Sequence, residues 1–134
     1  MRIRDIMSDK VVSISADDTL AIVDEIMGLA SVRHLPVVRA GQLVGMVSQR
    51  DLLRASLSNV IGLPREEQRR FLEGVRICEV MSEPPISVQP GTPIREAAAA
   101  MASRKIGCLP VVDGGRLVGI VTETDLLRYF ADLC

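Results

Sequence analysis

The 134-residue chain matches itself, without gaps, when it is shifted by 74 residues. Met7-Ser8 meets Met81-Ser82, and Met27 meets Met101. Leu35-Pro36-Val37-Val38 meets Leu109-Pro110-Val111-Val112, and Asp51-Leu52-Leu53-Arg54 meets Asp125-Leu126-Leu127-Arg128. From position 5 to 54, 17 of 50 pairs are identical. A constant offset over that length marks duplication of one supersecondary unit, and it limits the fold to two copies of one pattern.

Each copy reads alike. Val11 to Ile14, and Pro85 to Val88, are short strand candidates rich in branched residues. Asp18 and Thr92 offer helix N-caps, with Pro93 suited to the first helical position. Leu20, Val23, Ile26 and Met27 follow at helical spacing, as do Ile94, Ala97, Ala98 and Met101. Leu35 to Val38 is the next strand, its proline pointing to an edge position. Arg39-Ala40-Gly41-Gln42 and Asp113-Gly114-Gly115-Arg116 predict hairpin turns into the strand at Leu43 to Val47 and its counterpart. A second helix runs from Asp51 to about Leu57, and from Asp125 to about Leu133.

The fold class predicted is α/β: two β-α-β-β-α units, small mixed sheets flanked by helices, paired with pseudo-two-fold symmetry. One unit of about 55 residues buries too little surface to be comfortable alone. The boundaries are 1–60 for the first repeat, 61–76 for a connector and 77–134 for the second. In the connector, Asn59 to Gly62 reads as a turn and Pro64 as the start of a polar helix. There Glu66 stands four residues before Arg70, and Phe71 with Leu72 gives a small apolar face.

Composition narrows the function. Apolar residues make up 48%, enough for a packed core. Sixteen Lys and Arg against 17 Asp and Glu argue against a nucleic-acid-coating protein. The only aromatics are Phe71, Tyr129 and Phe130, too few for a base-stacking platform. No apolar run approaches the roughly 18 residues of a membrane span, and no apolar stretch near the N-terminus reads as a signal peptide. His34 is the single histidine, and no cluster has metal-ligand spacing. Three scattered cysteines, Cys78, Cys108 and Cys134, suit a reducing cytoplasm. The matched methionines read as gap-filling core.

The Leu-Pro-Val-Val strand and the Val-Gly-Ile-Val-Thr-x-x-Asp type of ending, each present twice, resemble the CBS domain family, named after cystathionine β-synthase. The resemblance covers nearly the whole chain and implies the same paired β-α-β-β-α fold. It implies a stand-alone regulatory pair, not an enzyme, that takes AMP, ADP, ATP or S-adenosylmethionine in clefts between the repeats. No cofactor is required. It further implies association into homodimers and a regulated partner protein of unknown identity.

The resemblance also places candidate residues. Ser48 with Asp51, and Thr122 with Asp125, have the spacing of a capping box, although Asp is a methylene shorter than the preferred Glu or Gln. The family reading gives each Asp to the 2′ and 3′ ribose hydroxyls and each hydroxyl side chain to a phosphate near a helix N-terminus. Arg33 and His34, just before the Leu-Pro strand, stand where some members carry phosphate-binding basic residues; otherwise they are a solvated arginine and a half-buried histidine. Gly107 and Cys108 replace that pair in the second repeat. Because family sites are composite, Asp125 and Thr122 with Arg33 and His34 are expected to form the better nucleotide site. Asp51 and Ser48 with Gly107 and Cys108 should form the weaker one. Val12, Val32, Ile86 and Ile106 are the expected adenine walls, with Gly107 leaving room for a bulkier ligand.

Two other classes of function compete. One is a dimerisation and interaction scaffold with vestigial pockets. The other is an enzyme built on Cys108 and His34, which lacks an orienting third group and a glycine-rich oxyanion turn beside the thiol.

Overall fold

In the computed structural model, which describes residues 1–82 and 85–133, two compact units form, and they do not coincide with the two sequence repeats. Unit 2 comprises Val12–Ala40 and Val44–Pro85, so the first repeat is completed by the segment that opens the second. Unit 1 comprises Ile86–Cys134, Gly41–Leu43 and Met1–Val11, so the second repeat is completed by the chain's first residues. Cys134, which ends the expected second repeat, lies outside the described residues, as do positions 83 and 84.

Unit 2 holds β1 (Ile14–Ser15), α1 (Leu20–Ala30), β2 (His34–Arg39), most of β3 (Gln42–Ser48), α2 (Gln49–Asn59) and α3 (Arg65–Glu73). β1 runs parallel to β2, with Ile14 opposite Val37, and β2 adjoins β3. Its core joins Leu20, Val23 and Met27 to Leu35, Val37, Val47, Leu52, Leu72 and Ile77. Unit 1 holds α4 (Ile94–Arg104), β4 (Cys108–Asp113), β5 (Arg116–Thr122) and α5 (Glu123–Leu133). Its core repeats the set at the 74-residue offset: Ile94, Ala97, Met101, Leu109, Val111, Val121 and Leu126, closed by Ile3. The class is mixed α/β in both units.

The exchanged segments are short arms. Residues Ile3–Asp5 and Ile77–Glu79 each form one turn of 3-10 helix that drives a fully buried isoleucine into a core. The arm then pairs with a strand edge. Ser8 and Ile120 exchange two backbone hydrogen bonds of 2.9 Å, and Ser82 and Met46 exchange bonds of 2.8 and 3.2 Å. Close approach requires glycine beside it: a Cβ on Gly119 would lie 2.7 Å from Met7 Sδ and 3.0 Å from Ser8 O. A Cβ on Gly45 would lie 2.5 Å from Met81 Sδ and 3.0 Å from Ser82 O. The repeated Met-Ser and Val-Gly motifs are therefore the two sides of one joint.

Several local expectations are corrected. The first strand is only two residues long, and in unit 1 it shrinks to the bridge of Val88 with Val111. Asp18 and Thr92 are not the N-caps; Thr19 and Pro93 are. Asp18 accepts from Ser15 N–H at 3.2 Å and Thr92 from Gln89 N–H at 3.0 Å, closing the turn before each helix. Leu20 N–H is satisfied by Val75 O at 3.0 Å instead. In the connector helix Arg69, not Arg70, carries the ion pairs, reaching Glu73 at 3.1 Å and Glu25 at 2.6 Å. The 113–116 hairpin turns on two glycines, Gly114 and Gly115, both at positive φ. In the other, Ala40 takes a left-handed φ of 52° beside Gly41.

Candidate functional site

In each unit a strand passes into a helix through one residue, and that residue is the hydroxyl of the predicted site. Ser48 is extended (φ −114°, ψ 163°) and caps α2. Asp51 Oδ2 accepts from Ser48 N–H at 2.8 Å and from Ser48 Oγ–H at 3.0 Å, while Ser48 Oγ accepts from Asp51 N–H at 3.2 Å. Thr122 and Asp125 repeat this at 2.8, 3.0 and 3.3 Å. The capping box forms in full, short side chain included. It concentrates all three bonds on the hydroxyl and on one carboxylate oxygen, and Oδ1 of each Asp takes no part in it. The hydroxyl hydrogen, expected to reach a phosphate, is engaged inside the box.

The strand starts lie beside these boxes. Gln49 N–H donates to Arg33 O at 2.8 Å, and Glu123 N–H to Gly107 O at 3.0 Å. Cys108 stands opposite Thr122 in the β4–β5 register. Parallel pairing of Ile14 with Val37 sets Val12 at the end of the sheet where β2 begins, and the Val88–Val111 bridge does the same for Ile86. Val12, Val32, Arg33, His34, Ser48 and Asp51 thus gather at one end of unit 2. Ile86, Ile106, Gly107, Thr122 and Asp125 gather at the corresponding end of unit 1.

Burial separates the apolar candidates. Val32 and Ile106 pack partly against the cores. Val12 and Ile86 do not belong to a core; they stay 44% and 37% exposed, as an apolar ligand wall would. Arg33 is exposed and His34 half-buried.

Asp125 also lines a cleft of about 460 Å³ within unit 1, together with Met1, Asp5, Ile6, Arg128 and Tyr129. The sequence reading missed these companions. Arg128 and Tyr129 could have been found, since they follow Asp125 at helical spacing. Met1, Asp5 and Ile6 arrive on the exchanged arm, which no local pattern announces. A larger groove of about 640 Å³ between α1 and α3, lined among others by Asp24, Glu25, Arg65 and Arg69, contains none of the residues predicted for the nucleotide sites.

Cys108 is buried, and burial pushes its thiol up to about 11. At neutral pH it is protonated and shielded, the opposite of an activated nucleophile. No helix among the described residues is long and apolar enough to cross a membrane.

A family model described as CBS domain matches residues 3–58 and again 77–132. A CBS domain-containing protein of Dictyostelium discoideum is 33% identical over 127 residues, 93% of this chain and 88% of that protein. The solved CBS domain pair of protein MJ0100, in complex with 5′-methylthioadenosine and S-adenosyl-L-methionine, is similar over 100% of this chain and 98% of its own (TM-score 0.82, 26% identity). The solved structure of CBSX2 in complex with AMP is similar over 98% and 97% of the two chains (TM-score 0.83, 25% identity).

Proposed function

The chain belongs to the CBS domain family, and from that premise we propose that it binds an adenosyl ligand and relays its presence to a partner protein. The observation that carries the reading is the pair of locked Ser/Thr–Asp boxes, each leaving one carboxylate oxygen uncommitted at the sheet end that also carries an exposed apolar residue. A ribose offers two neighbouring hydroxyls to such an oxygen, and an adenine ring offers a flat face to Val12 or Ile86. Similar pairs solved with AMP or with S-adenosylmethionine and methylthioadenosine support this ligand class.

Asp51 and Asp125 are the ribose grips. With the Ser48 and Thr122 hydrogens engaged in the boxes, a phosphate draws its donors from Arg33, whose planar fork suits it, and from His34. Val32, Ile106 and Gly107 complete the adenine walls. Repeat 2 lacks the basic pair, and the composite sites of the family reading join Arg33 and His34 to Asp125 rather than to Asp51, so the two Asp residues are not equivalent and Asp125 carries the larger share of nucleotide affinity. The buried, protonated Cys108 thiol favours regulation over catalysis. The reading includes self-association of the chain and a cytoplasmic setting.

Calorimetric titration with AMP, ATP and S-adenosylmethionine in turn tests it, alongside thermal shift. A ligand at 100 times its Kd adds about 2.7 kcal/mol of stability, a rise of roughly 3–6 °C for a chain of this size. Absence of heat and of shift with all three at millimolar concentration would favour the scaffold with vestigial pockets. Signalling itself requires that the ligand prefer one of two arrangements of the protein, since equal affinity shifts nothing.

A further inference from the structure

In unit 1 the arm meets the turn before α4, and arginines gather at that corner. Backbone bonds fix the arm in place: Ile3 N–H donates to Thr92 O and Arg4 N–H to Pro90 O, both at 2.9 Å. The side chains on either side of Ile3 then reach one residue. Arg2 Nη1 donates to Gly91 O at 3.2 Å, and a Cβ on Gly91 would lie 3.1 Å from Arg4 Nη2. Exposed Arg95 stands in the first turn of α4. Among the described residues no carboxylate comes within ion-pair distance of these three guanidinium groups. Thr92 Oγ accepts from Gln89 N–H at 3.0 Å, which leaves its own hydrogen to donate.

The matching corner of unit 2 shows that the fold does not require this arrangement. Arg76 stands there for Arg2, but Cys78 replaces Arg4 and Ala21 replaces Arg95. Asp17 and Asp18 occupy the places of Gly91 and Thr92. Asp18 closes its turn with a carboxylate where Thr92 uses a hydroxyl, so the turn itself is indifferent to charge. Unit 1 has thus lost two acids and gained two arginines at one corner. Guanidinium groups drawn together without a counter-charge repel each other, and a bound anion offsets that cost. Two planar forks and a hydroxyl match the oxygens of a phosphate. Asp5 and Glu96 flank the corner, and Asp5 Oδ2 is committed to Arg2 N–H at 2.8 Å. These acids disfavour a long polyanion and leave space for a compact one.

We infer that the corner of Arg2, Arg4, Gly91, Thr92 and Arg95 binds a phosphate group, free or carried on a small molecule. The site is separate from the candidate adenosyl site. The parallel bridge of Val88 with Val111 places Ile86 at the sheet end where β4 begins, and Gly91 lies beyond the bridge toward the other end. Because the backbone of the arm is already held to residues 90 and 92, little ordering is left for the ligand to impose.

Heteronuclear NMR titration with sodium phosphate, and separately with phenyl phosphate, tests it at constant ionic strength. Saturable movement of the Gly91, Thr92 and Arg95 amide signals is the expected result. Arg4→Gln should weaken that binding roughly tenfold or more, the scale of one hydrogen bond between charged groups. Gly91→Asp should abolish it with the fold intact, since Asp17 holds the same place in unit 2 and Gly91 is not among the glycines at positive φ. Tighter binding of the ester assigns the corner to a phosphorylated small molecule, and equal binding assigns it to the free ion; either result upholds the site. Signals that drift without saturating, or unchanged affinity in Arg4→Gln, would overturn it. So would movement confined to Arg33, Ser48 and their neighbours, which would place the phosphate at the candidate adenosyl site instead. Calorimetry with AMP reads that other end of the sheet, so either proposal can fail alone.

Discussion

Asp125 closes the cap of α5 with one carboxylate oxygen and, in the function proposed, offers the other to a ribose; substitutions can separate the two. Asn at 125 keeps an acceptor for the Thr122 N–H and removes the second carboxylate oxygen. Ala removes both. Asp125→Asn is therefore expected to weaken AMP or ATP binding by about 1.5–3 kcal/mol, the scale of a hydrogen bond to a charged group, with little change in Tm. Asp125→Ala should lose the same affinity and, in addition, about 1 kcal/mol of stability as a broken cap. Asp51→Asn should cost less affinity than Asp125→Asn; equal losses by calorimetry would remove the asymmetry. The residue pattern was readable because a hydroxyl and an acid three apart, after a strand, have few uses. It was not readable that the box takes the hydroxyl's hydrogen, since Asp could equally have turned outward. Ala40, at φ 52°, offers a simpler test. Left-handed backbone penalises a Cβ, so Ala40→Gly should stabilise the protein by roughly 0.5–1 kcal/mol in denaturant titration.

The elements themselves follow the sequence closely where periodicity is strong. The helices and hairpin strands stand within one or two residues of their expected places at most ends, the usual scatter of such boundaries. The opening strand fails because branched composition says only that a segment tolerates extension. Pairing needs a partner, and only Ile14 and Ser15 have one along β2. Burial of β4 produces a measurable effect at its first residue. The Cys108 thiol has its pKa raised from 9.0 to about 11, so the folded state keeps a proton that the unfolded chain releases. Stability from this group is complete below pH 9 and is lost as pH rises toward 11. Unfolding experiments should show a decline of up to about 3 kcal/mol across that window, and Cys108→Ala should flatten it. The same protonation predicts that iodoacetamide modifies Cys78 well before Cys108 at neutral pH, as peptide mapping would show.

For the molecule as a whole, the exchange of arms was the feature hidden from sequence. Ile3, Met7 and Ser8 are identical to Ile77, Met81 and Ser82. Each arm therefore fits either core equally well on local chemistry, and no pattern within one repeat says which it completes. The consequence is remote destabilisation. Ile3→Ala removes a fully buried side chain from unit 1 and should cost about 2–5 kcal/mol. Hydrogen exchange should accelerate in α4, β4 and β5, about a hundred residues along the chain, while residues 14 to 40 keep their protection. Faster exchange in residues 14 to 40 instead would mean that the arm closes on its own repeat.

The arms also decide what a cut means. A protease that severs the turn near Gly62 leaves one fragment with the Ile3 arm and most of unit 2, and another with the Ile77 arm and most of unit 1. Each piece holds the plug for the other's interior, so the nicked protein should still migrate as one species until denaturant draws both plugs. Covalent continuity at the connector is then dispensable, and the halves are bound as firmly as their own cores.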